Sequence, residues 1–231
     1  MAGVIMVDNK LRSYLDDFEK DRIQRNHVRD WSYRGLQLRL FPNVFPTDSP
    51  YSLTTVSMLE TLEGDCHELS RGDFGTVADI GTGNGSFAVY MAQLMPDAQI
   101  IAVDNDTAAL AAVRWNARNL GVKTVDTVGS DIFDAFGDPL RVHLILAALP
   151  FAQELRGEGL VERFWSQARL HLRFGGRVYF SWADWVSFPR LEKIASREGF
   201  EAVRWKEYTL EQLNYKWRVY IFEHAKGWAA Q

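Results

Sequence analysis

A doubly wound α/β fold on a seven-stranded, mostly parallel sheet is predicted by three observations. Short apolar, partly β-branched runs alternate with longer amphipathic stretches, the order that βαβ units require. One strand-to-helix junction, Asp79-Ile80-Gly81-Thr82-Gly83-Asn84-Gly85, is glycine-rich. The last two strand-like runs are joined by too few residues for a crossover helix, so the last strand pair must be antiparallel.

In chain order, residues 8–26 read as a helix, with Leu11, Leu15 and Phe18 on one stripe and most of the charges off it. Residues 33–41 alternate loosely, with Leu36, Leu38 and Leu40 on one side, as a half-buried strand would. Pro42, Pro46, Asp48, Ser49 and Pro50 then break regular structure. Residues 52–62 form a further helix, and residues 63–75 a polar connector. The first sheet strand is Thr76–Ile80, and the helix after the glycine turn (Phe87, Val89, Met91, Ala92, Leu94) stops at Pro96. A second strand over 99–103 ends in Asp104. Asp106 caps a helix over 108–120 that Gly121 ends. Strands follow over 124–128 and 142–147, then a helix over 158–172 stopped by Gly175-Gly176. A strand over 177–182, a helix over 189–197 and two strands, 200–208 and 218–224, complete the pattern. The chain thus divides into an extension over residues 1–75, on the substrate side, and a cofactor-binding domain over residues 76–231.

The 231 residues suffice for one large domain, and 47% hydrophobic content with eight Trp supports a sizeable core. The formal charge of −4 and the lack of a Lys/Arg run argue against a nucleic-acid partner. Cys66 is the single cysteine, and the five His are scattered, so no metal is expected. Residues 1–7 are too short for a signal-peptide core, and no run approaches a membrane span. A cytoplasmic protein is the expectation, with oligomeric state left open.

A glycine turn between strand and helix bends tightly, admits a ligand to bare backbone and aims free N–H groups at it. Asp104, 19 residues after Gly85, can accept hydrogen bonds from both ribose hydroxyls of a nucleoside. A dinucleotide fingerprint would need its third glycine where Ser86 stands. The spacing is instead Gly81-x-Gly83-x-Gly85, with Asp79 placed to suit a cationic amino-acid moiety. This Asp-x-Gly-x-Gly-x-Gly pattern resembles the class I S-adenosylmethionine-dependent methyltransferases, which implies a Rossmann-like methyltransferase fold with S-adenosyl-L-methionine as cofactor. The implied cofactor contacts are Asp79, Gly81, Thr82, Gly83, Asn84, Gly85, Asp104, Asn105 and Ala148. By the same resemblance Asp131 takes the adenine amino group, and Ile132 covers a ring face.

The run Val142 through Ala148-Leu149-Pro150-Phe151 resembles the strand that ends in Asn-Pro-Pro-Tyr in release-factor glutamine methyltransferases and their relatives. Residues 35–52, Gly157-Glu158-Gly159-Leu160 and Phe174-Gly175-Gly176-Arg177 are similar to further segments of that group. The motif is altered: Ala148 replaces the Asn that orients a planar target nitrogen, Leu149 replaces the first Pro, and Phe151 the aromatic. His143 replaces the acid that leads the strand, and its expected place is the amino end, away from the site.

Methyl transfer expels a neutral thioether, so positioning and water exclusion can do most of the work. A base is needed only for a protonated acceptor, and Glu154, Asp184, Tyr33 and His27 are the candidates. Trp182, Trp185 and Phe151 stand where an apolar or cation–π substrate wall would be. Residues 1–50 are expected to form an N-terminal helical lid touching the acceptor through Tyr33, Phe45, Thr47 and Tyr51. The expectation is a methyltransferase acting on a small molecule, a specialised metabolite, with nucleic acid disfavoured. The alternatives are a cofactor-binding protein without a separate methyl acceptor and, third, a protein or RNA methyltransferase.

Overall fold

The computed structural model describes residues 9–51, 53–72, 74–137, 140–150, 159–184, 187–211 and 215–226. The extension begins with α1 (Asn9–Gln24), followed by a hairpin of β1 (Arg29–Tyr33) and β2 (Leu36–Leu40). Sequence patterning found β2 and missed β1, whose inward positions Arg29, Trp31 and Tyr33 are only half-buried and include a charge. What closes the hairpin is Arg34-Gly35, with φ of 47° and 88°, the paired left-handed geometry of a tight hairpin turn. After a strap over residues 41–51 come α2 (Thr54–Gly64) and α3 (Cys66–Arg71). The latter lies where a polar connector was expected, and it docks through one buried residue, Leu69.

The remainder alternates as expected: β3 (Thr76–Ile80), α4 (Ser86–Leu94), β4 (Gln99–Asp104), α5 (Thr107–Asn119), β5 (Val125–Gly129) and β6 (Val142–Ala147). Then come α6 (Leu160–His171), β7 (Leu172–Ala183), α7 (Phe188–Arg197), β8 (Phe200–Leu210) and β9 (Tyr215–His224). The seven strands are ordered β5-β4-β3-β6-β7-β9-β8. Pairs from β5 to β7 are parallel, and β9 runs antiparallel to both β7 and β8. Gly175-Gly176 does not end α6 in a loop but lies inside the long β7, where a Cβ on Gly176 would sit 2.7 Å from the His143 carbonyl oxygen. His143 itself is at the amino end of β6, its Nδ1 accepting from the Thr76 amide at 3.1 Å, as expected of a structural residue.

Alternate strand residues feed two cores. Ala78, Ile80, Val103, Ile145 and Phe180 pack with α6, α7 and the Leu11 and Tyr14 side chains of α1. Val77, Ile100, Leu144 and Tyr179 pack with α2, α4 and the Leu36, Leu38 and Leu40 face of the hairpin. The extension therefore straddles the sheet, one piece on each face, and the strap crosses between them. Chain order reverses between β4-β3 and β6, and ligands bind at such a switch point beyond the carboxyl ends of the strands.

Candidate functional site

At that switch point, Gly81, Gly83 and Gly85 all adopt left-handed φ (74°, 53° and 85°), which an L side chain resists. Gly85 caps α4, and a Cβ there would fall 3.1 Å from Val113 of α5. Glycine is required there for both reasons. Beneath the loop, Asp79 is fully buried. Its Oδ2 accepts from Thr82 Oγ1 at 2.6 Å and from the Ala88 amide at 3.0 Å, while Oδ1 has no partner. Burial pushes its carboxyl up to about 7, and the charge of Asp104 adds to the rise. Asp104, at the end of β4, accepts from the Gly83 amide (3.0 Å) through Oδ2 and from the Asp106 amide (2.9 Å) through Oδ1. Both oxygens are thus aimed before any ligand arrives, and each keeps a lone pair.

Gly81, Gly83 and Asp104 rim a cavity of about 230 Å³. Of the expected cofactor contacts, Gly81, Thr82, Gly83, Asn84, Asp104, Asn105, Asp131, Ile132 and Ala148 line it. Asp79 and Gly85 do not: the one braces the loop from below, the other is turned into α5. Asp131 is held by Arg163 Nη2 of α6 at 2.5 Å. Ile132 is buried with φ of 54°, a conformation a β-branched residue rarely takes outside functional turns. Leu149, Pro150 and Leu160 also line the cavity, as do Val44, Phe45 and Thr47 of the strap and Thr54 and Thr55 of α2.

Phe45 and Thr47 were expected at the acceptor pocket, and the strap brings both to the cavity. Val44, Thr54, Thr55, Ser86, Asp106, Ala109, Ser130 and Leu160 were missed as lining residues, although the Pro-rich strap around Val44, the cap at Asp106 and the family-like segment ending at Leu160 were each visible in the sequence.

Other expected substrate and catalytic residues lie elsewhere. Tyr33 is on the hairpin, stacked on Trp31 and donating to Glu60 Oε1 at 2.9 Å, because the turn directs it against α2. Tyr51 packs edge-on against Tyr14, 5.7 Å between ring centres. Trp182 is buried beside Phe180, since its place in β7 points it into the core. Asp184 follows β7 with its amide bonded to the Lys216 carbonyl (2.9 Å), and burial raises its carboxyl, but it does not reach the cavity. His27 is exposed after α1, its Nδ1 against the Gln24 carbonyl oxygen. Glu154, Phe151 and Trp185 lie outside the described residues.

The arrangement offers a carboxylate pair of acceptors at a strand end, a backbone cradle at a helix start and apolar walls. That is a binding set for a nucleoside carrying a charged amino-acid tail. Among the described residues no group of three His, Cys, Asp or Glu could hold a metal, and no helix is long and apolar enough to cross a membrane.

A family model described as the methyltransferase small domain matches residues 36–219. The release factor glutamine methyltransferase of Moorella thermoacetica is 34% identical over 143 residues, 62% of this chain and 48% of that protein. The one from Rhodopirellula baltica is 28% identical over 123 residues, 53% of this chain and 40% of that protein. The ribosomal RNA large subunit methyltransferase G of a Shewanella species is 31% identical over 117 residues, 48% of this chain and 30% of that protein. The matches thus span under half the length of these curated relatives. Among solved structures, a T. thermophilus 16S rRNA N2 G1207 methyltransferase in complex with AdoMet and guanosine superposes with a TM-score of 0.65 at 18% identity, covering 87% of this chain and 50% of that one.

The expected fold and the family resemblance stand. The expected partner does not. The relatives are named for protein and RNA acceptors, which overturns the small-molecule expectation and the disfavouring of nucleic acid. The reason is physical: net charge sums the whole surface and is silent on a local contact with a macromolecule.

Proposed function

We propose that this chain, which belongs to the methyltransferase small domain family, transfers the methyl group of S-adenosylmethionine to a macromolecular acceptor, a protein or an RNA. The observation that carries the reading is Asp104, pinned by the Gly83 and Asp106 amides at the rim of the glycine-loop cavity. In that cavity Asp104 takes the ribose hydroxyls, and the Gly81–Gly85 backbone receives the amino-acid tail. Asp131 takes the adenine amino group, and Ile132 covers the ring. The methyl group then points toward Ala148-Leu149-Pro150 at the end of β6. Ala148 has only its main-chain carbonyl to offer an acceptor nitrogen, so the acceptor itself must supply more of its own orientation.

The described part of the extension, residues 9–50, covers this end on the same reading. Its support is the strap, where Phe45 lines the cavity and lies 5.9 Å from the Phe18 ring of α1. Ser49 Oγ also donates to Asp21 of α1 at 2.8 Å.

The test is methyl-labelled cofactor incubated with the chain and, separately, with release factor and with ribosomal subunits. Label in the protein or the RNA fraction, lost in Asp104→Ala, is the expected result and tells the two acceptors apart. No transfer to either by a chain that binds S-adenosylhomocysteine overturns the acceptor. Cofactor consumed with no acceptor present would favour use of the cofactor without one, for which Ala148 is the motive.

A further inference from the structure

Two asparagines, each 1% exposed, tie the glycine loop to the end of β2 and to the strap that follows it. Asn84 Oδ1 accepts from the Phe41 amide at 3.1 Å, and its Nδ2 donates to the Phe45 carbonyl at 2.9 Å. Asn116, on α5, accepts through Oδ1 from the Arg39 amide at 2.8 Å. Its Nδ2 donates to the carbonyls of Arg39 and Asn84, both at 2.9 Å. A buried amide without partners is costly, and here the side-chain oxygen and nitrogen of both have partners, with both N–H donors of Asn116 used. A polar network of this kind specifies one arrangement of the segments it joins.

The ring contacts agree. Phe41 packs edge-on against Trp115 (5.6 Å), the Arg39 guanidinium lies 4.7 Å above the same ring, and Val44 packs with Ala109 and Ala112 of α5. Three strap residues, Val44, Phe45 and Thr47, line the cavity. Phe45 is 42% exposed, so its place is held by the Asn84 bond to its carbonyl rather than by burial of its own ring. Asn116 does not line the cavity.

We infer that Asn116 is a positioning residue for the cofactor: through Asn84 it holds the strap against the glycine loop, so that cofactor binding and strap seating form one equilibrium. The inference rests on reading the cavity as the S-adenosylmethionine site. Coupling of this kind is reciprocal: what loosens the strap weakens the ligand, and the ligand must tighten the strap.

The experiment measures S-adenosylhomocysteine affinity by calorimetry and amide exchange over residues 39–47, with and without ligand, in the wild-type chain and in Asn116→Ala. In wild type the ligand should slow exchange of the Arg39 and Phe41 amides. In Asn116→Ala those amides should exchange fast, and the dissociation constant should rise about tenfold, within the range of allosteric couplings. The KM for S-adenosylmethionine should rise more than kcat falls. Asn116→Asp, which keeps the acceptor for the Arg39 amide, should recover part of the affinity. A folded Asn116→Ala that binds within twofold of wild type overturns the inference and leaves the cofactor reading intact. If that variant does not fold, exchange in wild type decides: Arg39 and Phe41 amides unaffected by ligand overturn it equally. A wild-type chain that does not bind S-adenosylhomocysteine overturns the cofactor reading and this inference with it.

Discussion

The two walls of the cavity are held by different chemistry. The strap wall is tied down at residues 41–45 by buried neutral amides and, beyond the cavity lining, at Asp48 by ion pairs to Arg25 and Arg29. The other wall, the turn after β5 that carries Asp131 and Ile132, is held largely from α6 at residues one turn apart. Arg163 pairs with Asp131, and their side chains are 47% and 45% exposed. Gln167 accepts from the Phe133 amide at 2.9 Å and donates to Asp134 at 2.6 Å. His171 stacks on Phe133 with ring centres 4.6 Å apart. An exposed ion pair contributes about 0–1 kcal/mol, whereas a buried polar group left unsatisfied costs about 1–3 kcal/mol. The buried amides behind the strap wall therefore matter more, contact for contact, than the exposed Arg163–Asp131 pair of the other wall.

Four measurements bear on this contrast, in falling order of effect. Asp79 lies beneath both walls, and its folded pKa is raised from 3.8 to about 7. Between those values the folded chain keeps a proton that the unfolded chain has lost. Stability without cofactor should fall as pH rises through that window, by up to about 1.4 kcal/mol per pH unit, and level off above it. Asp79→Asn should remove this slope in urea unfolding at pH 5 and pH 8; equal slopes in both proteins would refute the assignment.

Asp104→Ala removes the carboxylate at the rim and should weaken S-adenosylhomocysteine by roughly 1.5–3 kcal/mol in calorimetry, as lost charge-assisted hydrogen bonds do. Asn84→Ala leaves the Phe41 amide and the Phe45 carbonyl without their partner and should cost about 2 kcal/mol of folding stability in chemical denaturation. Arg163→Ala should cost under about 1 kcal/mol in the same assay, and less as salt rises. A loss from Arg163→Ala equal to that from Asn84→Ala would erase the difference between the walls.

Much of the site was legible without coordinates because it depends on local backbone needs. A run of three glycines at alternate positions is read from φ alone, and an acid at the end of the next strand follows from the strand's length. Asp131 was legible as the acid after the third strand, but its partner Arg163 was not, since the two are 32 residues apart. Tyr33 and Trp182 were misplaced for a related reason. Each was assigned by its distance along the chain from a loop, whereas the hairpin turn and the strand pleat decide which way a side chain faces.

Sequence by itself determined the alternation of strands and helices, the antiparallel last pair, the glycine loop and the acid that faces it. Each of these is set by contacts within a few tens of residues: periodicity, left-handed glycine geometry and the length of a connection. Only tertiary structure decided that α1 and the β1–β2 hairpin take opposite faces of the sheet and that residues 41–47 cross the mouth of the cavity. Asn84 and Asn116 are, in sequence, two ordinary polar residues in a loop and a helix. They become a clamp because α5 packs against the glycine loop, which brings their amides to the same buried stretch of backbone, where every donor and acceptor must find a partner.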